Sequence, residues 1–148
     1  MKHHVVLRVI AKMIIPVIML FALYVQFHGD YSPGGGFQAG VIFAAAFILY
    51  ALVFGLAAAE RAAPPGLLKV FSVSGVLLYG GVGVVTMLLG GNFLDYDVLA
   101  HDPKHGQHIG ILLVELGVGL TVSSTMLLIY FQFAGRPAGG EPEGEDAA

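Results

Sequence analysis

Between His105 and Gly135 the sequence carries a single formal charge, Glu115. A carboxylate in the middle of a membrane segment costs on the order of 3 kcal/mol, so Glu115 must face protein or water rather than lipid. Two roles are open to it. One is structural, a protonated acid hydrogen-bonded to a neighbouring helix. The other is chemical: burial holds a proton on a carboxyl group and a nearby cation drives it off, so one site can exchange a proton for a cation. His108 precedes Glu115 by seven residues, about 700° of helical rotation. It therefore falls within ~20° of the same face and ~10 Å away. A histidine there can relay protons between the outer surface and Glu115, or simply sit solvated at the interface. His101, Asp102, His105 and His108 have the residue types of a metal site. Pro103 and Gly106 are expected to break the helix that would align His101 with His105, and no His-Glu-x-x-His pair occurs. No metal or cofactor is expected, and no Ser-His-Asp arrangement can be assembled. Asp95 and Asp97 read as a solvated acidic loop.

A second local feature is the run His28-Gly29-Asp30-Tyr31-Ser32-Pro33-Gly34-Gly35-Gly36-Phe37-Gln38-Ala39-Gly40. Ser32 can cap a helix and Pro33 suits its first position. Gly34, Gly35 and Gly36 then offer bare backbone, so another chain or a carboxylate can approach the free N–H groups and the positive end of the helix dipole. The glycines match part of a dinucleotide fingerprint, but no strand precedes them and no acid follows about 20 residues on, which removes that reading. The turn is either a close docking point for a partner or, with His28 and Asp30, the border of a cation or proton path.

The elements that carry these residues follow from charge distribution. Of 148 residues 57% are hydrophobic and 11% charged, against about 25% charged in a soluble domain. The apolar runs are apolar all round and approach the ~20 residues needed to cross hydrocarbon. A soluble enzyme is excluded, and a net charge of −3 gives no reason to expect nucleic acid. The expected fold is all-α, with four transmembrane helices at about 5–27, 37–59, 67–91 and 109–133 in a membrane domain of residues 1–135. Residues 136–148 have too few apolar groups to fold and are expected to form a disordered acidic tail. Lys2, Arg8, Lys12, Arg61, Lys69 and Arg136 fall on one side and only Lys104 on the other, so both termini are expected to be cytoplasmic. Small residues at Gly36, Gly40 and Ala44, and at Gly106, Gly110, Gly117 and Thr121, form stripes where helix backbones can approach closely. Gly75, Gly80, Gly81 and Gly83 serve either close contact or a bend in the third span. Four short spans with little loop favour one component of a larger assembly.

His28-Gly29 with Ser32-Pro33-Gly34-Gly35-Gly36-Phe37-Gln38 resembles the signature of the MrpB/MnhB family, the B subunits of multisubunit sodium/proton antiporters. Glu115-Leu116-Gly117-Val118-Gly119-Leu120-Thr121-Val122 continues the resemblance, which covers the chain to about Phe133. Ala39 departs from it where glycine is usual, and Asp30 where other polar residues occur. The resemblance implies one member of a hetero-oligomer in a prokaryotic plasma membrane, transporting sodium and protons. Its partners would be the large complex-I-like A and D subunits together with other small subunits. The chain would shape the translocation unit, with Glu115 the foremost candidate for a direct part, followed by His108, His28 and Asp30. The alternatives are a homologous component of a redox-driven ion pump and a homo-oligomeric channel.

Overall fold

In hydrocarbon the backbone has no partner but itself, and a helix satisfies every one of its polar groups. The computed structural model describes residues 5–29 and 34–136. They form α1 (Val5–Phe27), α2 (Gly36–Phe54), α3 (Leu56–Ala62), α4 (Pro65–Leu88), a single 3-10 turn (Tyr96–Leu99) and α5 (Pro103–Ala134). Four of these, α1, α2, α4 and α5, are long and apolar enough to cross a membrane. Residues 137–148, which hold nearly all of the expected acidic tail, lie outside the described residues.

Two boundaries differ from expectation. The second apolar run is not one helix from 37 to 59 but breaks at Gly55, whose φ of +99° only glycine adopts without strain. Gly55 N–H still donates to Ala51 O, closing α2, and α3 then starts afresh. The last helix starts at Pro103 rather than near 109. Pro103 occupies a first-turn position, where its missing N–H costs nothing, and Asp102 accepts a hydrogen bond from Lys104 N–H at 3.1 Å. Pro103 therefore opens this helix instead of breaking it, and Gly106 lies inside it.

The long helices stand in a row: α1 against α2, α2 against α5, and α5 against α4, with light contact between α1 and α5. Paired residues give the directions. Gly36 meets Glu115 and Gly40 meets Gly119, so α2 and α5 run parallel. Ser72 bonds Thr125 while Gly75 meets Gly117 and Thr121, so α4 and α5 run antiparallel. Arg8 and Lys12 lie over Phe54, while Ala22 and Gln26 line one cavity with Ala39 and Gly40, so α1 runs antiparallel to α2.

Small residues make this row possible. Ala44, Ala51, Ala59 and Ala63 join Leu68, Leu127 and Phe131 in the larger core cluster, and the largest fully buried side chains are only Thr86 and Ser124. Close backbone approach and dispersion, rather than bulky interlocking side chains, hold such helices together in lipid. Gly75 is essential to one contact, since a methyl group there would overlap Thr121 Oγ1 and Gly117 O. Gly80 and Gly81 face open space within this chain, and α4 runs through them as one continuous helix. The outer faces of α1 and α4 expose large apolar side chains such as Met13, Leu20, Leu77 and Leu88, surface that lipid or other subunits must cover.

Candidate functional site

The α1–α2 connection closes on Glu115. A Cβ at Gly29 would overlap both carboxylate oxygens, and one at Gly35 would lie 3.1 Å from Oε1. A Cβ at Gly36 would overlap the backbone carbonyl of Glu115 itself. Bare backbone from the end of α1 and the start of α2 therefore cradles the carboxyl group, which is half-buried. The carboxylate that the glycine turn was expected to admit is the chain's own. Glu115 lies ~18 Å along α5 from Pro103 at 1.5 Å per residue. Because α2 begins at that level, Glu115 stands on a step: α1 and α2 stop beside it, while α5 continues past them next to the 3-10 turn. A helix N-terminus offers free N–H groups and a positive partial charge, which is how an acid is tolerated at this depth.

The start of α2 corrects one expectation. Its N-cap is Gly35, at φ +137°, and Gly36 is its first residue, so the helix does not begin at Ser32 and Pro33. Three successive glycines favour helix poorly, and Gly36 must lie against the α5 backbone, which places the turn before it. Phe37 is exposed, whereas Gln38 turns its Oε1 back toward Gly35. Asp30, Ser32 and Pro33 lie outside the described residues.

One polar residue escaped the sequence reading. Gln26, in the last turn of α1, is 5% exposed, its Oε1 lies against Gly119, and its Nε2 donor has no protein partner. It borders a cavity of about 140 Å³ between α1, α2 and α5, lined also by Ala39, Gly40, Leu116 and Ser123. The lining is otherwise almost wholly apolar, with Ser123 the one other polar side chain. Leaving the amide dry would cost about 1–3 kcal/mol. The signal was present as a lone amide in an apolar run.

His28 packs its ring on Tyr24 at 4.1 Å and donates from Nδ1 to Tyr24 O at 3.1 Å, satisfying a carbonyl of the α1 terminus. It adjoins Gly29 and hence the Glu115 cradle. His108 is exposed on the projecting part of α5, on the same continuous helix as Glu115. The acidic loop before α5 makes contacts of its own. Gln107 Nε2 donates to Asp97 Oδ1 at 2.8 Å, and Tyr96 lies over Gly106 and Gly110. Burial, and next the neighbouring Tyr79, push the Tyr96 phenol above its ordinary value, so it stays neutral. Among the described residues no group of three acidic or histidine side chains is placed to hold a metal ion.

A row of four apolar helices around a cradled acid, with bare outer faces, defines a small multi-pass membrane protein shaped to sit among other subunits. Residues 6–128 match the family model described as a domain related to the MnhB subunit of Na+/H+ antiporter. The chain is 34% identical over 137 residues to a Staphylococcus haemolyticus protein named "Putative antiporter subunit mnhB2", covering 90% of this chain and 96% of that one. A Staphylococcus aureus (strain Newman) protein of the same name is 31% identical over the same shares. The chain belongs to the MnhB family, the B subunits of multisubunit cation/proton antiporters.

Proposed function

We propose that this MnhB-family protein takes a direct part in ion exchange through Glu115, beyond shaping the assembly. The observation that carries the reading is the glycine cradle: Gly29, Gly35 and Gly36 bring bare backbone up against one acid at a helix N-terminus. In this reading a cation arriving at the carboxylate displaces its proton, and departure of the cation restores it. His108 exchanges protons with the outer surface. Sodium is the cation, and the large complex-I-like A and D subunits and the small subunits cover the open faces of α1 and α4.

The relay has its own test. His108→Ala is expected to displace the pH profile of antiport while leaving the amount of assembled complex unchanged; an identical profile removes His108 from the path.

The protein lies in the plasma membrane with both termini in the cytoplasm, a reading supported by Arg8, Lys12, Arg61, Lys69 and Arg136 at one end against Lys104 at the other. A reporter enzyme that works only outside the cytoplasm, fused after Arg136, is expected to be silent, whereas one fused near Lys104 is active. The reverse pattern would invert the orientation.

A further inference from the structure

At the end of the molecule far from Glu115, Arg8 and Lys12 share a face of α1. Both reach over the Phe54 ring of α2, with Arg8 Cζ 5.6 Å and Lys12 Nζ 6.0 Å from its centroid. The two helices form an open cleft of about 450 Å³ lined by Arg8, Lys12, Ile15, Pro16, Tyr50 and Phe54, with no carboxylate among them. Arg8 Nε is buried there and has no hydrogen-bond partner. The lining is ordered along α1: two cations come first, then Ile15 and Pro16, some ~12 Å beyond Arg8 at 1.5 Å per residue. A charged mouth thus stands over an apolar floor. Ions of a soluble anion fit only the mouth, whereas a phospholipid fits both parts, with phosphate at the cations and an acyl chain below.

We propose that this cleft binds the headgroup phosphate of an anionic phospholipid. The Arg8 guanidinium and Lys12 ammonium hold the phosphate oxygens, the Tyr50 hydroxyl donates a further hydrogen bond, and an acyl chain lies along Ile15 and Pro16. Charge-assisted bonds of this kind are short and strong, and arginine matches phosphate with two donors at once. Arg61, Lys69 and Arg136 at the same end add long-range attraction for an anionic leaflet. The site is independent of the ion-exchange reading, lying ~27 Å along α1 from Gln26.

The test uses the whole complex, purified through a tag on this chain in mild detergent. Retained phospholipid is measured by native mass spectrometry. The complex is then stripped of lipid and titrated with phosphatidylglycerol or phosphatidylcholine while its thermal stability is followed. The wild type is expected to retain anionic lipid and to be stabilised by phosphatidylglycerol, but not by phosphatidylcholine or by millimolar inorganic phosphate. Removing the cations in Arg8→Gln/Lys12→Gln is expected to weaken the response about fivefold for each charge lost. The exchange Arg8→Lys/Lys12→Arg keeps both charges and most of the binding. Equal phosphatidylglycerol affinity in the wild type and the double Gln variant overturns the proposal. So does stabilisation by inorganic phosphate alone, which marks a soluble-anion site. If the wild type binds no lipid and deletion of residues 137–148 uncovers binding, the acidic tail is the occupant and the proposal fails. Should the double Gln variant not assemble, the wild-type contrast between anionic and neutral lipid decides alone.

Discussion

Glu115→Gln is expected to remove nearly all sodium-driven proton exchange while leaving the complex assembled. Glutamine has the volume of glutamate, so the contacts to Gly29, Gly35 and Gly36 survive. What it loses is the ability to bind a proton and to attract a cation. A positioned proton-transfer group contributes roughly 10²-fold or more, and a loss of at least that order is the expected result. Glu115→Asp keeps the charge but withdraws it by one methylene from the cradle, and should retain partial activity. The measurement is cation-induced collapse of a pH gradient in everted vesicles from a host lacking its own antiporters, with the amount of assembled complex assayed in parallel. Full activity of Glu115→Gln at every pH and sodium concentration would leave the acid a structural role only.

The second large effect lies in the backbone around that acid. Gly36→Ala places a methyl group on the carbonyl oxygen, carbonyl carbon and Cα of Glu115. These atoms belong to α5 itself and cannot swing aside as a side-chain tip would, so the two helices must part. Overfilling a close contact costs typically 1–3 kcal/mol, and this contact belongs at or above the top of that range. The expected result is a marked loss of this chain from solubilised complexes on warming, and with it a loss of exchange. Gly80→Ala and Gly81→Ala are the matched controls. Within this chain both positions face open space in an unbroken helix, so alanine there should leave the α2–α5 contact unchanged. Equal behaviour of Gly36→Ala and Gly80→Ala would contradict the proximity of α2 and α5 on which the site depends.

Hydropathy reports which segments leave water, and the four membrane helices were legible for that reason. It says nothing of register. The stripes Gly36, Gly40 and Ala44 on the second helix and Gly106, Gly110, Gly117 and Thr121 on the last were visible, but not what either would meet. The second stripe divides: Gly106 and Gly110 lie under Tyr96, while Gly117 and Thr121 face Gly75. The surface that meets α2 is instead Glu115, Gly119 and Val122. For the same reason the glycine turn and Glu115 could each be singled out, and the turn's affinity for a carboxylate deduced, without linking the two across some 80 residues of chain. Gly55 hid within an apolar run because a helix break set by one positive φ leaves no hydropathy signal. Pro103 reads as a breaker from sequence because a proline's effect depends on where the helix starts, which Asp102 decides through its cap. Gln26 drew no attention because its burial against Gly119 is a tertiary fact.

The most direct measurement is isotope-edited infrared difference spectroscopy of the reconstituted complex, recorded as sodium is added and withdrawn. A protonated carboxyl absorbs apart from a carboxylate, so the proton on Glu115 can be followed by comparing wild type with Glu115→Gln. The expected result is a carboxyl band that disappears on sodium addition, returns on withdrawal, and is missing from Glu115→Gln. A wild-type difference spectrum identical to that of Glu115→Gln would show that the acid keeps one protonation state throughout, and would contradict exchange at this site.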